Sequence, residues 1–259
     1  MNQVLEVLLK RKSVRAYEDR PISAEVRAQL LTATLRAPTA GNQMLYSIIE
    51  VSDQALKDKL AVTCDNQPFI AQAPLVWLFL ADYQRWFDYF LVSGVQELCD
   101  RRGLTLRMPQ EGDMLLACCD ALIAAQQAVI AAEGLGIGSC YIGDILEDYE
   151  THREMFKLPQ YVAPIGLLCF GYPTQEQIDR PLTPRFDDKF IVFENQYQRL
   201  DAAGFDEMFS EREKNRRKSD NPDAPANFGQ AMYLRKFSAD FSVEMSRSVG
   251  VMLKAWAGE

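Results

Sequence analysis

The run from Asp113 to Glu133 limits the fold more than any other stretch of this 259-residue chain. It is apolar nearly all round a helix, so solvent is a poor neighbour for every side of it. A bilayer is no better. Asp120, Gln126 and Gln127 interrupt its most apolar part, Leu115 to Ala132, and hydrocarbon penalises such groups. The helix is therefore expected at the centre of the molecule, enclosed within one subunit or at an interface between two. Two more segments narrow the choice. Leu75 to Ala81 and Ile165 to Phe170 are continuously apolar with β-branched and aromatic members, the pattern of strands buried on both faces. A sheet of such strands needs helices on both sides, which points to an α+β or α/β class.

Periodicity and caps supply the remaining elements. Helices are expected over Asn2 to Lys10, Ser23 to about Arg36, Asp53 to Ala61, about Tyr83 to Arg101, and about Asp148 to Phe156. Two more close the chain, Phe205 to about Lys218 and Gln230 to about Trp256, joined by the proline-bearing Ser219 to Pro225. Strands are expected at Ser47 to Val51, Ser139 to Ile142 and, as a late addition, Phe190 to Phe193. Met1 to Lys10 lacks the long apolar core and small-residue cleavage site of a signal peptide, so a soluble cytoplasmic protein without a membrane partner is expected.

Composition excludes several chemistries. The formal charge of −8 argues against a nucleic-acid surface. The six cysteines, Cys64, Cys99, Cys118, Cys119, Cys140 and Cys169, form no CxxC pair and no regular framework, and read as small core hydrophobes. There is one histidine, His152. Its charged neighbours suggest a solvated helix surface, so a zinc site or a histidine-assisted nucleophile is a poor expectation. Gly134-Leu135-Gly136-Ile137-Gly138 is no dinucleotide loop: it follows a helix and opens a strand, where such a loop does the reverse.

Three features remain that could carry chemistry. In Arg11-Lys12-Ser13-Val14-Arg15, alternation puts Arg11, Ser13 and Arg15 on one side of an extended piece. Guanidinium forks and a hydroxyl suit a phosphate monoester, although the run also reads as a solvated basic turn. Arg180-Pro181-Leu182-Thr183-Pro184-Arg185 holds two guanidiniums in a stiff connection, or is simply a charged linker. Asn66-Gln67 could offer amides to a heterocycle, or merely cap a turn.

Together these motifs resemble the FMN-dependent nitroreductases, in order, over about residues 3 to 200. Arg11 to Arg15 followed by Pro21-Ile22-Ser23 looks like the family's opening, and Ala37-Pro38-Thr39-Ala40-Gly41-Asn42 like its flavin-side turn. Gly134 to Gly143 is similar to its helix-to-strand passage, and Leu158-Pro159 through Phe170-Gly171-Tyr172-Pro173 to the following strand. Glu194-Asn195-Gln196-Tyr197 resembles the oxygen-insensitive, NADPH-using nitroreductases and flavin reductases. The resemblance implies an α+β nitroreductase-like fold with a central mixed β-sheet flanked by helices. It also implies a homodimer that exchanges its C-terminal extension, with the strand at Phe190 to Phe193 crossing to the partner's sheet. Residues 1–200 would form the FMN-binding domain and 201–259 a helical extension, packed on that domain or on the partner.

By the same resemblance, Arg11 and Ser13 meet the FMN phosphate and ribityl chain, with Lys12 and Arg15 beside them. Thr39, Gln67 and Phe69 lie near the ring, and Tyr141, Ile142 and Gly143 form the strand end that passes it. Counting from the loop's start puts Arg180 on a flavin-side cation, and counting back from Glu194 puts Arg185 on a phosphate-binding arginine. Gly41, Asn42, Met44 and Tyr46 fall on the substrate side. The implied activity is ping-pong transfer from NADPH or NADH through FMN to a small acceptor such as a nitroaromatic or quinone. A flavin store or sensor, or a dehalogenase-like enzyme on the same scaffold, is the alternative. No catalytic side chain is implied, because the flavin carries the chemistry while Arg15 or Arg180 tunes it. The cations Arg212, Lys214, Arg216, Arg217 and Lys218 read as a solvated helix end, or as a grip on an adenosine 2′-phosphate.

Overall fold

A four-stranded sheet in the order β1-β2-β4-β3 lies at the centre of this computed structural model, which describes residues 2–216, 221 and 223–259. The chain enters through α1 (Gln3–Lys10) and α2 (Ala24–Thr34), whose caps Asn2 and Ser23 accept from Val4 and Val26 backbone N–H groups. It continues through β1 (Tyr46–Glu50), α3 (Gln54–Thr63), α4 (Phe69–Gln72) and β2 (Leu75–Asp82), in which every residue is buried. Then follow α5 (Gln84–Val92), α6 (Val95–Arg102), α7 (Glu111–Gly134), β3 (Gly138–Ile142), α8 (Tyr149–Met155), β4 (Val162–Gly171) and α9 (Gln175–Asp179). The last helices are α10 (Ala202–Lys214), α11 (Phe228–Met232) and α12 (Asp240–Ala257).

The chain divides into two compact units, Met1–Arg180 with Glu244–Glu259, and Pro181–Val243. The cut lies ahead of the boundary expected after residue 200. In the first unit α7 packs on β2 and α2. Its Ala121, Ala124, Ala125 and Ala128 meet Trp77, Phe79 and Phe170 from the sheet, small residues facing large ones so that the layers approach closely. The opposite face of the sheet is closed by Leu60, Ala61, Ile70 and Leu158. By length and composition α7 would pass for a membrane span, yet its alanine face is core. Its other face, Leu115, Leu116, Leu122 and Ile123, is exposed beside an equally exposed apolar stripe on α1, Val4, Leu5, Leu8 and Leu9.

Several expectations need correction. The sheet is not mixed: all three strand pairings are antiparallel, and the parallel contact is the isolated bridge between Ser13 and Ser139. The helix expected from Tyr83 to Arg101 breaks at Ser93–Gly94, where Gly94 takes φ 73°, a left-handed turn that caps one helix and starts the next. The helix expected from Gln230 to Trp256 breaks around Ser238, after a π-helical turn at Tyr233–Phe237. Residues 190–193 form no strand. A 3₁₀ turn at Asp188–Phe190 ends there, and Ile191 and Val192 are exposed. Of the helix expected to reach Lys218, α10 ends at Lys214, and Arg217 and Lys218 lie outside the described residues.

His152 is fully buried, not solvated. The charged side chains around it turn outward from α8, while its ring points inward and meets Thr63 Oγ1 at 2.8 Å and the Ile145 carbonyl at 3.1 Å. Cys64, Cys140 and Cys169 are buried as expected, and Cys119 is exposed.

The segment after α1 is fastened across β3 and the end of β4. Val14 N–H donates to the Ser139 carbonyl at 2.9 Å, and Glu18 N–H to the Tyr172 carbonyl at 2.8 Å. The approach needs two glycines. A Cβ on Gly138 would come within 2.5 Å of Val14, and one on Gly171 within 2.5 Å of the Tyr17 ring.

Candidate functional site

This docking carries a set of cations to the beginning of β3. Arg11 is the C-cap of α1 and leaves it in extended conformation. The guanidinium of Arg180, at the end of α9, donates to the Ser13 carbonyl. The Arg15 backbone N–H donates to the side-chain oxygen of buried Gln177 at 3.2 Å, and the Arg15 guanidinium stands 5.9 Å from the centre of the Phe69 ring. The thiol of Cys140 lies within the field of Arg15, Arg11 and Arg180, though its burial still pushes it up. Lys12 is a different case. Its ammonium donates to the carbonyls of Ile178 and Arg180, so it ties down the end of α9. Arg11, Ser13, Arg15, Phe69 and Arg180 thus belong together.

Glu133, on the last turn of α7, faces these cations and was not expected there. One of its oxygens is buried without a hydrogen-bond partner. Burial pushes its carboxyl up to about 7 against the opposing pull of Arg11 and Lys12. A carboxyl raised in the fold holds its proton longer than in the unfolded chain, so stability is full below the ordinary Glu range and falls as pH rises towards 7. In the flavin-free protein, Glu133→Gln is expected to raise the thermal midpoint at pH 8 and leave it unchanged at pH 4. An equal shift at both values would show that ionisation is not the cause.

A second group surrounds the turn between α2 and β1. Gly41, Asn42 and Met44 all take left-handed conformations, with φ of 55°, 57° and 52°. Such a run holds only if something outside it supplies partners, and here that is Asp120 of α7. Its carboxylate accepts from the Thr39 hydroxyl, from Ala40 N–H at 3.0 Å and from Leu45 N–H at 3.1 Å. The Thr39 hydroxyl also accepts from Met44 N–H at 2.7 Å, so it serves the turn. Arg85 donates to the Met44 and Tyr46 carbonyls, and Trp86 to that of Gln43. Gly41 and Asn42 are exposed at the turn, Met44 is half-buried, and Tyr46 is buried in the core with its hydroxyl unpartnered. Burial, then Asp120, pushes that phenol up.

The third group closes the other end of β3. Gln67 Nε2 donates to the Cys64 carbonyl at 2.9 Å and to Asp144 at 2.7 Å. Asp144 follows Gly143, which is exposed with open space where a Cβ would stand. Tyr141 is partly exposed on the same strand, while the Ile142 side chain is core and leaves only its backbone for a ligand.

Arg185 belongs to the second unit, where it donates to the Thr183 carbonyl at 3.1 Å and lines a cavity of about 450 Å³ with Phe186, Lys189 and Arg212. Arg212 stacks 3.9 Å over Phe186. Arg216 is bound rather than solvated: it pairs with Glu213 at 2.8 Å and donates to the Pro225 and Ala226 carbonyls. The grip on a 2′-phosphate expected of this run therefore loses Arg216, and Arg217 and Lys218 lie outside the described residues. Lys214 lines a neighbouring cavity of about 850 Å³ with Phe205, Phe209 and Phe228.

A family model described as the nitroreductase family matches residues 8–172. The chain is 33% identical over 215 residues to an oxygen-insensitive NADPH nitroreductase of Salmonella typhimurium, covering 82% of both chains. It is 31% identical over 199 residues to an FMN reductase (NADPH) of Bacillus subtilis, covering 76% of this chain and 75% of that one. Among solved structures, B. megaterium NfrA2 aligns with a TM-score of 0.78 at 25% identity over 99% of this chain and 98% of that one. NADPH:FMN oxidoreductase from Vibrio harveyi complexed with NAD+ aligns at 0.78 and 23% identity, covering 97% and 98%, and shows likeness of fold.

Proposed function

Because this chain belongs to the nitroreductase family, we propose that it is an FMN-dependent NAD(P)H oxidoreductase acting on a small electron-poor acceptor such as a nitroaromatic or quinone. The observation that carries the reading is the gathering of Arg11, Arg15, Arg180 and the Ser13 hydroxyl at the start of β3. Buried Ser139, paired with Ser13, adds a hydroxyl with no partner in the fold. Such a set fits one phosphate monoester, and relatives named as FMN reductases and an NADPH nitroreductase support the choice of FMN and NADPH. Bound FMN supplies the redox chemistry, taking hydride from NAD(P)H and passing the electrons on in a separate half-reaction.

In this reading Arg11 and Ser13 hold the phosphate, and Gln67 with the backbone at Ile142 and Gly143 meets the ring edge. Arg15, lying near Phe69, brings positive charge to the ring and favours negative charge there. Gly41, Asn42 and Met44 bound the acceptor side. Purified protein should be yellow, release FMN on heating, and bleach with NADPH faster than with NADH under anaerobic conditions. Recovered FAD, or a yellow protein that neither donor bleaches, would overturn the proposal.

The proposal extends to a homodimer with an exchanged C-terminal extension. Its support is the joint apolar face of α1 and α7, an area that monomers rarely leave in water, together with exposed Ile191 and Val192. Sedimentation equilibrium at low micromolar concentration is expected to give about twice 29.4 kDa. A flavin-loaded monomer would remove the shared-site arrangement.

A further inference from the structure

We propose that Glu147 is a positioning residue: with Asp144 it fixes the Gln67 amide so that Gln67 offers a bound flavin only its carbonyl oxygen. The inference rests on the FMN reading above and goes beyond it by naming what sets the orientation. Gln67 Nε2 carries two hydrogens, and both are used, one on the Cys64 carbonyl at 2.9 Å and one on Asp144 Oδ2 at 2.7 Å. Rotating the amide by half a turn would set its oxygen against two acceptor oxygens, so the orientation is determined. What remains for a ligand is an acceptor, and its match on a flavin is a ring N–H.

Asp144 is itself held. It opens the 3₁₀ turn Asp144–Leu146, and Glu147 N–H donates to its carbonyl at 3.0 Å. The Glu147 side chain is only 6% exposed, lies within hydrogen-bonding reach of the Asp144 carboxylate, and has one oxygen without a partner. Two acidic side chains in such contact are stable when one proton lies between them. The surroundings favour that proton. Burial first, then Asp144, Asp65 and Asp148, push Glu147 up to about 8. From the α3 side come Asp65 and the Cys64 thiol, itself pushed up chiefly by burial. From α12, Glu244 accepts from Asp148 N–H at 3.3 Å, and from α8 the buried His152 is directed to Ile145 and Thr63. The charged groups that act most strongly on Glu147 are all acidic.

When Glu147 loses its proton, two negative charges adjoin, Asp144 is driven away, and Gln67 loses the partner that orients it. Apo-protein should be titrated with FMN by fluorescence quenching at pH 7 and pH 9, in wild type, Glu147→Gln and Glu147→Leu. Wild type is expected to bind up to about tenfold more weakly at pH 9, the scale of one lost neutral hydrogen bond. In a Glu133→Gln background, which removes the other carboxyl titrating in this range, Glu147→Gln keeps a hydrogen-bond donor that does not titrate and should hold its pH 7 affinity at both values. Glu147→Leu should be about tenfold weaker at both. The FMN phosphate is already close to a dianion at pH 7, so it contributes no alkaline loss. Parallel pH profiles for Glu133→Gln with and without Glu147→Gln would overturn the proposal. A separate arm needs no flavin: the ¹⁵N-resolved side-chain amide protons of Gln67 in wild-type apo-protein should broaden with a midpoint near pH 8, and stay sharp in Glu147→Gln. Absence of that transition also overturns the proposal. Failure of every variant to bind FMN, with the amide transition intact, would instead fault the flavin reading.

Discussion

Replacing Asp120 with alanine is expected to lower the stability of the fold by about 3–5 kcal/mol. The side chain is almost fully buried and gathers three donors, two of them backbone N–H groups that have no water to turn to. Asp120→Asn should recover only part of the loss, because one amide hydrogen-bearing face would then oppose Ala40 or Leu45 N–H. Urea unfolding measures it as a lower midpoint at unchanged slope. A loss under about 1 kcal/mol would mean that the left-handed run at Gly41, Asn42 and Met44 holds itself by its own turns. The same substitution should loosen the acceptor side of the proposed site, since that run forms its edge.

The second large effect is on the cofactor. Arg11→Ala is expected to weaken FMN binding at least tenfold, since a charge-assisted contact in a partly enclosed site is worth about 1.5–3 kcal/mol. Arg180→Ala should lose as much or more, because the Arg180 guanidinium also holds the Ser13 carbonyl and so the segment that presents the hydroxyl. Arg185→Ala, measured beside them, reports whether that guanidinium contributes to FMN affinity. An unchanged dissociation constant in Arg11→Ala would reduce that residue to a solvated helix-end charge.

Much of this fold could be read from hydrophobic pattern. The two continuously apolar strands are β2 and β4, side by side at the middle of the sheet, and the helix apolar all round is α7, pressed on them. Local signals failed where tertiary partners decide. Gly94 breaks a helix whose periodicity runs on through it, and Ile191 and Val192 carry a strand pattern yet pair with no strand among the described residues. His152 sits among charges in sequence, but a short helix buries whichever residue meets the core, and its neighbours do not reveal which.

The site divides in the same way. The cluster at Arg11, Ser13 and Arg15 was legible because alternation in an extended segment places one face in view. Asp120 was visible only as a breach in an apolar helix, which was the available signal that it serves buried donors elsewhere. The contact of Gln67 with Asp144 spans 77 residues of chain and leaves no local trace. Arg216 shows the opposite error, a charge in a charged run that the fold has already engaged.

The solitary, enclosed imidazole has a practical corollary. Its Nδ1 lies against a carbonyl, which fixes the hydrogen there, so Nε2 of the neutral ring must receive the Thr63 hydroxyl proton. That hydroxyl also lies 3.1 Å from the Lys59 carbonyl, and one proton serves only one acceptor. Protonating the ring would turn the hydroxyl towards Lys59, a rotation with no change of backbone. Burial holds the ring below the ordinary histidine range, so the unfolded chain takes up the proton first and acid weakens the fold on the way down. With one histidine in the chain, an imidazole nitrogen spectrum is a single pair of lines, free of overlap and assigned without mutagenesis. It gives this protein an internal gauge of how tightly α3 and α8 stay joined, readable while cofactor, donor or acceptor comes and goes.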